Sequence, residues 1–363
     1  MNALLSDIRD NRLLWLLVFV PVVFVAAKLK PEAQTLLFVV SVLAIVPLTV
    51  LLSHATESVA AKIGDALGGL LNATLGNLAE LIIALSALRA GQYMLVKASI
   101  AGPIVTNTLF ILGTSFLLGG LKYHEQEYNR VSARMQAALL FLATVALLVP
   151  SAVSQVDAAG VAFTHKLSLG LAVLLIAAYG LSMLFSLKTH RELFASASHG
   201  AGGDEPWPLG LALGTLAGVT VLIALVSEIF VESVQTAAAA FGMTPAFVGF
   251  IIVALVGGAS AMPTAFAGAR KNRLDLTVGI ALGSAVQIAL FVAPLLVLAS
   301  YVIGPTPMHL QFWPGAVVMM FIATLTAALV TASGRSAWFV GVLVLMVYLI
   351  FAMTLYLLPP RVP

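Results

Sequence analysis

The feature that most constrains this chain is a succession of long apolar segments with very little charge between them. Eleven windows of about 20 mostly apolar residues are each long enough to cross a bilayer as a helix. Only 9% of the residues are charged, whereas a soluble domain uses roughly a quarter. We therefore predict an all-α polytopic membrane protein with eleven transmembrane helices, near residues 13–29, 33–53, 66–88, 95–119, 133–153, 167–187, 208–230, 243–269, 275–301, 310–331 and 336–358.

The positively charged residues predict how these helices are oriented, because Lys and Arg concentrate in cytoplasmic loops. With the N-terminus in the cytoplasm, twelve of the 18 Lys and Arg residues fall on the cytoplasmic side and six on the other. We therefore expect a cytoplasmic N-terminus and a C-terminus outside. The N-terminal segment has no cleavable signal or transit pattern, which suits the inner membrane of a bacterium.

An internal repeat organises the chain, because residue i matches residue i+181 over more than thirty positions without a gap. Five helices separate the two copies, and this odd number predicts opposite orientations, as in the inverted repeats of secondary transporters. We expect an N-terminal segment with an extra first helix (1–32), a five-helix repeat (33–187), a cytoplasmic linker (188–207) and a second five-helix repeat (208–363). The matching pairs include Gly76 with Gly257, Arg89 with Arg270, Gly102 with Gly283 and Phe110 with Phe291.

Three acidic residues lie inside apolar segments, namely Glu80, Glu228 and Glu232. A carboxylate within a bilayer is costly, so such a residue is a candidate for function. Glu80 is the strongest candidate, and its alternative is a structural acid that is paired or protonated. Glu228 and Glu232 lie one turn apart on one face of the seventh helix. For these two, a solvated pair at the membrane interface is the alternative.

Glu80 stands in the window Gly-Asn-Leu-Ala-Glu-Leu (76–81), and the repeat aligns it with Gly-Gly-Ala-Ser-Ala-Met (257–262), in which Ala261 takes the place of the acid. Glycines let a backbone or an ion approach closely. Carboxylate, amide and hydroxyl oxygens without soft ligands suit a hard cation such as Ca²⁺. For any single neutral residue, a hydrogen bond between helices is the alternative. The candidates for cation and proton binding are Glu80, Asn77, Gly76, Asn107, Thr106, Ser284, Gln287, Glu228, Gly257 and Ser260.

The sequence argues against several other classes of protein. It contains no cysteine, which excludes disulfides and thiolate metal sites. The basic residues are spread between the apolar segments rather than gathered in one patch, so nucleic-acid binding is not expected. The histidines show no metal-ligand spacing such as HExxH. We therefore expect neither an enzyme nor a resident cofactor.

Five segments match motifs of a known family: GGLLNATLGNLAELIIALSAL, VKASIAGPIVTNTLFILG, FVGFIIVALVGG, RKNRLDLTVGIALGSAVQIALFVAP and SLKTHRELF. Together they resemble the Ca²⁺/H⁺ exchanger family of the cation/calcium exchanger superfamily. The resemblance implies two inverted halves in the lipid bilayer and secondary antiport by alternating access, with Ca²⁺ and protons competing for midplane carboxylates. It places Glu80, Asn77, Gly76 and the 102–107 segment in the first motif, and Gly283, Ser284 and Gln287 in the second. The stretch VSEIFVES, which contains Glu228, also resembles the family's seventh helix.

The second window departs from the family pattern, which carries its own Glu there with Asn after the first Gly. In this chain those positions are Ala261 and Gly258, and Pro103 and Pro263 are further unusual residues. We therefore hypothesise that transport is weakened or lost, or that Glu228 substitutes for the missing acid. Two alternatives stay open. One is a Na⁺(K⁺)/H⁺ or Na⁺/Ca²⁺ exchanger of the same superfamily, since a lone carboxylate suits a monovalent ion. The other is a cation-binding membrane sensor that does not transport.

Overall fold

The protein is almost entirely helical in a computed structural model that describes residues 4, 7–9, 11–63, 65–153, 158–190 and 206–357. The strands β1 (Glu125–Glu127) and β2 (Arg335–Ala337) form one short antiparallel pair in which Gln126 faces Ser336. The helices are α1 (Arg12–Leu29), α2 (Gln34–Ile63), α3 (Asp65–Leu75), α4 (Leu78–Arg89), α5 (Tyr93–Tyr123), α6 (Arg130–Val153), α7 (Ala158–Leu184), α8 (Leu209–Ala240), α9 (Pro245–Gly257), α10 (Ala261–Arg270), α11 (Leu274–Ser300), α12 (Pro314–Thr331) and α13 (Trp338–Leu357).

The predicted membrane class is confirmed by the length and hydropathy of these helices. Among the described residues, nine helices are long and apolar enough to cross a bilayer, and α9 with α10 would add a tenth if the two form one span. The predicted span 66–88 is present as two shorter helices, α3 and α4. The count of eleven spans and the layout of two five-helix repeats therefore remain predictions. Most of the predicted cytoplasmic linker 188–207 lies outside the described residues.

Helix α2 extends to Ile63, so its predicted end near residue 53 is wrong. The apolar window stops there because polar residues follow. The structure keeps these residues helical, since the Ser53 hydroxyl donates to the Glu57 carboxylate one turn later at 3.1 Å. The hydroxyl of Ser58 also accepts a hydrogen bond from the backbone N–H of Trp207 at 3.2 Å. The polar side chains that follow residue 53 form hydrogen bonds, and the helix continues through them.

Two helix breaks coincide with the two windows that stand out in the sequence. The break between α3 and α4 falls on Gly76 and Asn77, and the break between α9 and α10 falls on residues 258–260. Pro263 lies in the first turn of α10, where its missing N–H removes no helical hydrogen bond. Helix ends leave backbone N–H and C=O groups without partners in the helix. Transporters use such ends to bind ions and substrates.

The local backbone geometry recurs at the same spacing of 181 residues. The turn after α4 contains Gly91 with φ of 70°, and the turn after α10 contains Asn272 with φ of 57°. Helices α5 and α11 each contain a π-helical turn, at residues 106–111 and 288–292. The hydrogen bond that closes the turn runs from Gln92 N–H to the Ala87 carbonyl and from Arg273 N–H to the Gly268 carbonyl, at 2.9 Å in both cases.

The chain divides into two compact units, and each combines segments from both halves of the sequence. Unit 1 consists of residues 1–99, 204–260 and 356–363, and unit 2 of residues 100–203 and 261–355. The compact units therefore differ from the predicted sequence repeats, because each unit draws helices from both repeats.

Unit 1 is built around α2 and α8, which pack along each other. Their contact includes the stacked rings of Phe38 and Phe230, with centroids 5.4 Å apart. Helix α4 also packs against α8. A Cβ atom at Gly249 of α9 would lie 2.5 Å from Cβ of Ala98 in α5. Glycine at this position therefore allows the close helix contact that membrane bundles use in place of bulky side chains.

Unit 2 is built from the C-terminal part of α5 with α6, α7 and α10 to α13. Its core contains Phe116 stacked on Tyr128, with Leu112, Val278 and Leu282 buried in the same cluster. A glycine again allows two helices to pack closely, here α13 and α5. A Cβ atom at Gly341 of α13 would lie 2.4 Å from the backbone nitrogen of Leu117 in α5.

Candidate functional site

Glu80 is a buried carboxylate at the start of a half-helix. It lies in the first turn of α4, three residues after Asn77, which occupies the N-cap position. Only 6% of Glu80 and 4% of Asn77 is exposed. The N-terminal end of a helix carries partial positive charge, which stabilises a nearby anion. The break at Gly76 and Asn77 therefore places the acid where α4 itself supports its charge.

Glu80 contacts the second window through Gly257, the last residue of α9. A Cβ atom at Gly257 would lie 2.7 Å from Cγ and 2.9 Å from Oε1 of Glu80. A side chain at position 257 would therefore collide with the carboxyl group. The contact lies entirely within unit 1. It joins the acid of one window to the first glycine of the other.

The surroundings of Glu80 favour a bound cation or proton. Helix α9 ends at Gly257, and the C-terminal end of a helix carries partial negative charge from its last carbonyl groups. The carbonyls of Ala254 and Val256 accept hydrogen bonds from the N–H groups of Gly258 and Ala259. A carboxylate beside such an end is repelled by it, and a bound cation or proton would relieve this repulsion further than the N-terminus of α4 does. Half-helix ends coordinate coupling ions in transporters in this way.

The other predicted polar residues fall into two groups. Ser260 lies in the break after α9 and is partly buried, while Gly76 is exposed at the break before α4. Both belong to unit 1 with Glu80, Asn77 and Gly257. The remaining candidates belong to unit 2, and their exposed fractions are 1% for Thr106, 5% for Asn107 and 7% for Gln287, with Ser284 partly buried.

The buried polar residues of unit 2 lie at irregular points of their helices. Thr106 and Asn107 open the π-helical turn of α5, and Gln287 directly precedes that of α11. π-helical turns occur frequently at functional sites. Ala261 is the first residue of α10. It presents a methyl group where its repeat counterpart Glu80 presents a carboxylate.

Glu228 is held in an exposed ion pair. Its Oε1 accepts a hydrogen bond from Nη1 of Arg89 at 3.0 Å, and its side chain is 48% exposed. Glu232 is also exposed. This placement matches the solvated alternative given for the two acids. An acid already paired with an arginine in a solvated position is poorly suited to replace a buried ligand.

Glu57 is an acid that the sequence reasoning did not select. It lies within α2 and is only partly exposed, with Ser53 as a hydrogen-bond donor. Its position was missed because the apolar window ends near residue 53. The run Ser-His-Ala-Thr-Glu-Ser (53–58) shows no proline or glycine, and this absence of helix breakers could have indicated that the helix continues.

Comparisons with known proteins agree with the motifs. The model of the sodium/calcium exchanger protein family matches residues 33–188 and 211–357. A Ca²⁺/H⁺ antiporter of Aphanothece halophytica is 38% identical over 95% of this chain and 96% of its own length. The Ca²⁺/H⁺ antiporter ChaA of Bacillus subtilis is 38% identical over 96% of this chain and all of its own length.

Solved structures show the same fold. Native YfkE superimposes with a TM-score of 0.82 at 35% identity, over 96% of this chain and all of that chain. The H⁺/Ca²⁺ exchanger CAX gives a TM-score of 0.71 at 14% identity, over 96% of this chain and 92% of that chain, which shows the fold alone. The members of the matched family are transporters rather than enzymes. The resemblance seen in the sequence is thus confirmed, and the chain belongs to the sodium/calcium exchanger protein family.

Proposed function

We propose that this chain is a secondary active antiporter that exchanges Ca²⁺ for protons by alternating access. The observation that carries the proposal is the buried carboxylate of Glu80 against Gly257 at the end of α9. Relatives named as Ca²⁺/H⁺ antiporters cover nearly the whole chain and support it. We place the protein in the inner membrane of a bacterium, with its N-terminus in the cytoplasm and its C-terminus outside.

The oxygen donors proposed as ligands suit a hard cation. Ca²⁺ takes six to eight oxygen ligands from carboxylates, amides, carbonyls and water. Among the described residues no group of three or more His, Cys, Asp or Glu side chains could hold a metal. We therefore propose that Glu80 supplies the charge and that neutral oxygens complete the ligand set. Within unit 1 these come from Asn77 and Ser260, with Gly76 and Gly257 leaving room beside the acid. The sequence adds Thr106, Asn107, Ser284 and Gln287 of unit 2 as candidate ligands.

Competition at one carboxylate couples the two ions. Removing a carboxylate from water disfavours its charge unless a cation or a proton neutralises it. Ca²⁺ needs the ionised acid, and a bound proton removes that ligand. A transporter that changes its accessible side only when the acid is neutralised would then return with protons after releasing Ca²⁺. The proton gradient would in this way drive Ca²⁺ transport.

Charge balance favours a second candidate function. Two facing carboxylates would neutralise one Ca²⁺, but Ala261 stands where the second is expected and Glu228 is paired with Arg89. A lone carboxylate balances a monovalent cation. We therefore propose weakened Ca²⁺ transport, with Na⁺(K⁺)/H⁺ or Na⁺/Ca²⁺ exchange as the alternative activity. A sensor that binds cations without transporting them is the remaining possibility.

The test is cation flux into proteoliposomes. ⁴⁵Ca²⁺, Na⁺ and K⁺ uptake are measured separately under an imposed pH gradient, for the parent protein and for Glu80→Gln. Proton-driven Ca²⁺ uptake that Glu80→Gln abolishes supports the proposal. Uptake of Na⁺ or K⁺ alone favours the monovalent exchanger, and Ca²⁺ binding without flux favours the sensor. If uptake persists in Glu80→Gln, the proposed role of Glu80 in cation and proton binding is wrong.

A further inference from the structure

A small polar cavity lies inside unit 2, and Glu80 is not among its lining residues. Its volume is about 10 Å³, which is enough for about one water molecule. It lies between α6 with the residues before it and the start of α11. Its lining consists of Tyr128, Asn129, Ser132, Ala133, Gln136, Asp275, Val278 and Gly279.

Gln136 is the residue that packing alone does not explain. Its Oε1 is buried and has no hydrogen-bond partner among the described residues. A buried amide oxygen without a partner is destabilising, so such atoms are usually bonded to protein or water. Gln136 lines the cavity, and a water molecule there can satisfy this oxygen.

Two stripes of residues, one on each helix, start from opposite sides of the cavity. On the α6 side, Asn129, Ser132 and Gln136 follow one another at spacings of three and four residues, which keeps them on one helix face. On α11, Asp275 is followed at spacings of four by Gly279, Gly283 and Gln287. Gln136 connects the stripes beyond the cavity, since a Cβ atom at Gly283 would lie 4.0 Å from its Oε1.

At their outer end the stripes begin at the N-termini of α6 and α11. The backbone N–H of Asn129 donates to Oδ1 of Asp275, and Oδ1 of Asn129 accepts the N–H of Ser132 at 3.0 Å. Asp275 lies in the first turn of α11 and is partly exposed. It thus has a structural role as an anchor, and it also gives this end of the cavity a negative charge.

The inner end of the α11 stripe is Gln287, one of the residues proposed as cation ligands. Ionisable residues within a membrane bundle mark ion pathways and proton relays, and Asp275 is such a residue at the other end of this stripe. Glycine at two of the four positions on α11 leaves space that larger side chains would fill. The stripes therefore connect a negatively charged, partly exposed end to a proposed ligand.

We propose that Asp275, Ser132, Gln136, Gly279 and Gly283 line a hydrated path that admits water and protons into unit 2. The assignment of this path to proton delivery rests on the proposed exchange function, whereas the path itself does not. Exposed basic residues lie close to its outer end, namely Arg270, Lys271 and Arg273. A path for cations must therefore depend on the Asp275 carboxylate to offset them.

The path is tested by measuring how fast introduced cysteines react. The chain contains no cysteine, so no native cysteine has to be replaced first. Ser132→Cys and Gln136→Cys are each reconstituted in liposomes and treated with Ag⁺, a thiol-reactive cation no larger than a water molecule. The matched controls are Leu140→Cys, one turn further along α6, and Ala281→Cys on α11, because both residues are fully buried. Mass spectrometry of the intact protein gives the labelling rate.

We expect Gln136→Cys or Ser132→Cys to label at least about tenfold faster than both controls, which react only through local opening. Asp275→Asn should slow the labelling by Ag⁺, because it removes the negative charge at the outer end. Equal rates at stripe and control positions overturn the path, and so does labelling by Ag⁺ that Asp275→Asn leaves unchanged. Labelling requires no transport, so a failed flux assay with this pattern intact would refute the exchange function and not the path.

Discussion

The two windows share a backbone pattern and differ in chemistry. Each interrupts a helix, and each is followed by a half-helix and a turn with a residue at positive φ, Gly91 in one copy and Asn272 in the other. The first window carries Glu80, whereas the second carries Ala261 at the matching position. The broken backbone is thus independent of the acid. Glycine and helix-end geometry produce the break, and the carboxylate adds charge to a position that exists without it.

Replacing Glu80 with Gln should have the largest effect, because it removes the charge and keeps the shape of the side chain. We expect cation flux to fall by at least about 100-fold, corresponding to ~2.7 kcal/mol. Flux in proteoliposomes under a pH gradient measures it. The matched control is Glu232→Gln on α8, an exposed acid whose change should leave flux within about twofold. Equal losses in both variants would contradict the distinction between the two acids.

Replacing Gly257 with Ala should be the next most damaging change. Its Cβ would lie 2.7 Å from Cγ of Glu80, so the carboxyl group must move. We expect flux to fall about tenfold or more, and the free energy of unfolding to drop by about 1–3 kcal/mol, as in other overpacked sites.

The control for Gly257→Ala is Gly218→Ala in α8, where an added Cβ meets no atom of the described residues within 4 Å. That variant should be neutral or more stable by up to about 1 kcal/mol, because Ala favours the helix. Thermal unfolding in detergent and flux in liposomes compare the two. Similar behaviour of both variants would show that the contact between Gly257 and Glu80 does not matter.

Replacing Ala261 with Glu tests whether the second window lacks a ligand. A second acid would better balance the charge of Ca²⁺, so we expect Ca²⁺ flux to rise by several-fold, about 1 kcal/mol in barrier height. Na⁺ or K⁺ flux should not rise in parallel. The measurement is ⁴⁵Ca²⁺ uptake beside monovalent uptake, with Ala261→Gln as the neutral control. If the parent protein already transports Ca²⁺ rapidly and Ala261→Glu does not increase this flux, the missing-ligand hypothesis is wrong.

Removing the ion pair between Arg89 and Glu228 should have the smallest effect. The two side chains are 72% and 48% exposed, and exposed pairs contribute about 0.2–1 kcal/mol. A double-mutant cycle with Arg89→Gln and Glu228→Gln should give a coupling energy in this range, with flux within about twofold of the parent. Loss of flux in Glu228→Gln alone would restore the hypothesis that Glu228 substitutes for the missing acid.

Some elements of the fold could be predicted from the sequence, and others could not. The long apolar helices and Glu80 were evident because charge is so rare in this chain that each buried acid stands out. The end of α2 was misplaced because hydropathy cannot register that Ser53 and Glu57 bond to each other along the helix. The break within the predicted span 66–88 was missed for a similar reason. Gly76 and Asn77 weaken a helix locally, and only the surrounding packing decides whether it stops.

The sequence by itself determined the membrane class, the family and the identity of the one buried acid at the first window. These depend on composition and on short motifs, which act locally. Only the tertiary structure decided that Glu80 lies against Gly257, that Glu228 pairs with Arg89, and that Gln136 opens onto a polar cavity. Each of these facts depends on residues far apart in the chain, and their proximity is set by helix packing rather than by any local pattern.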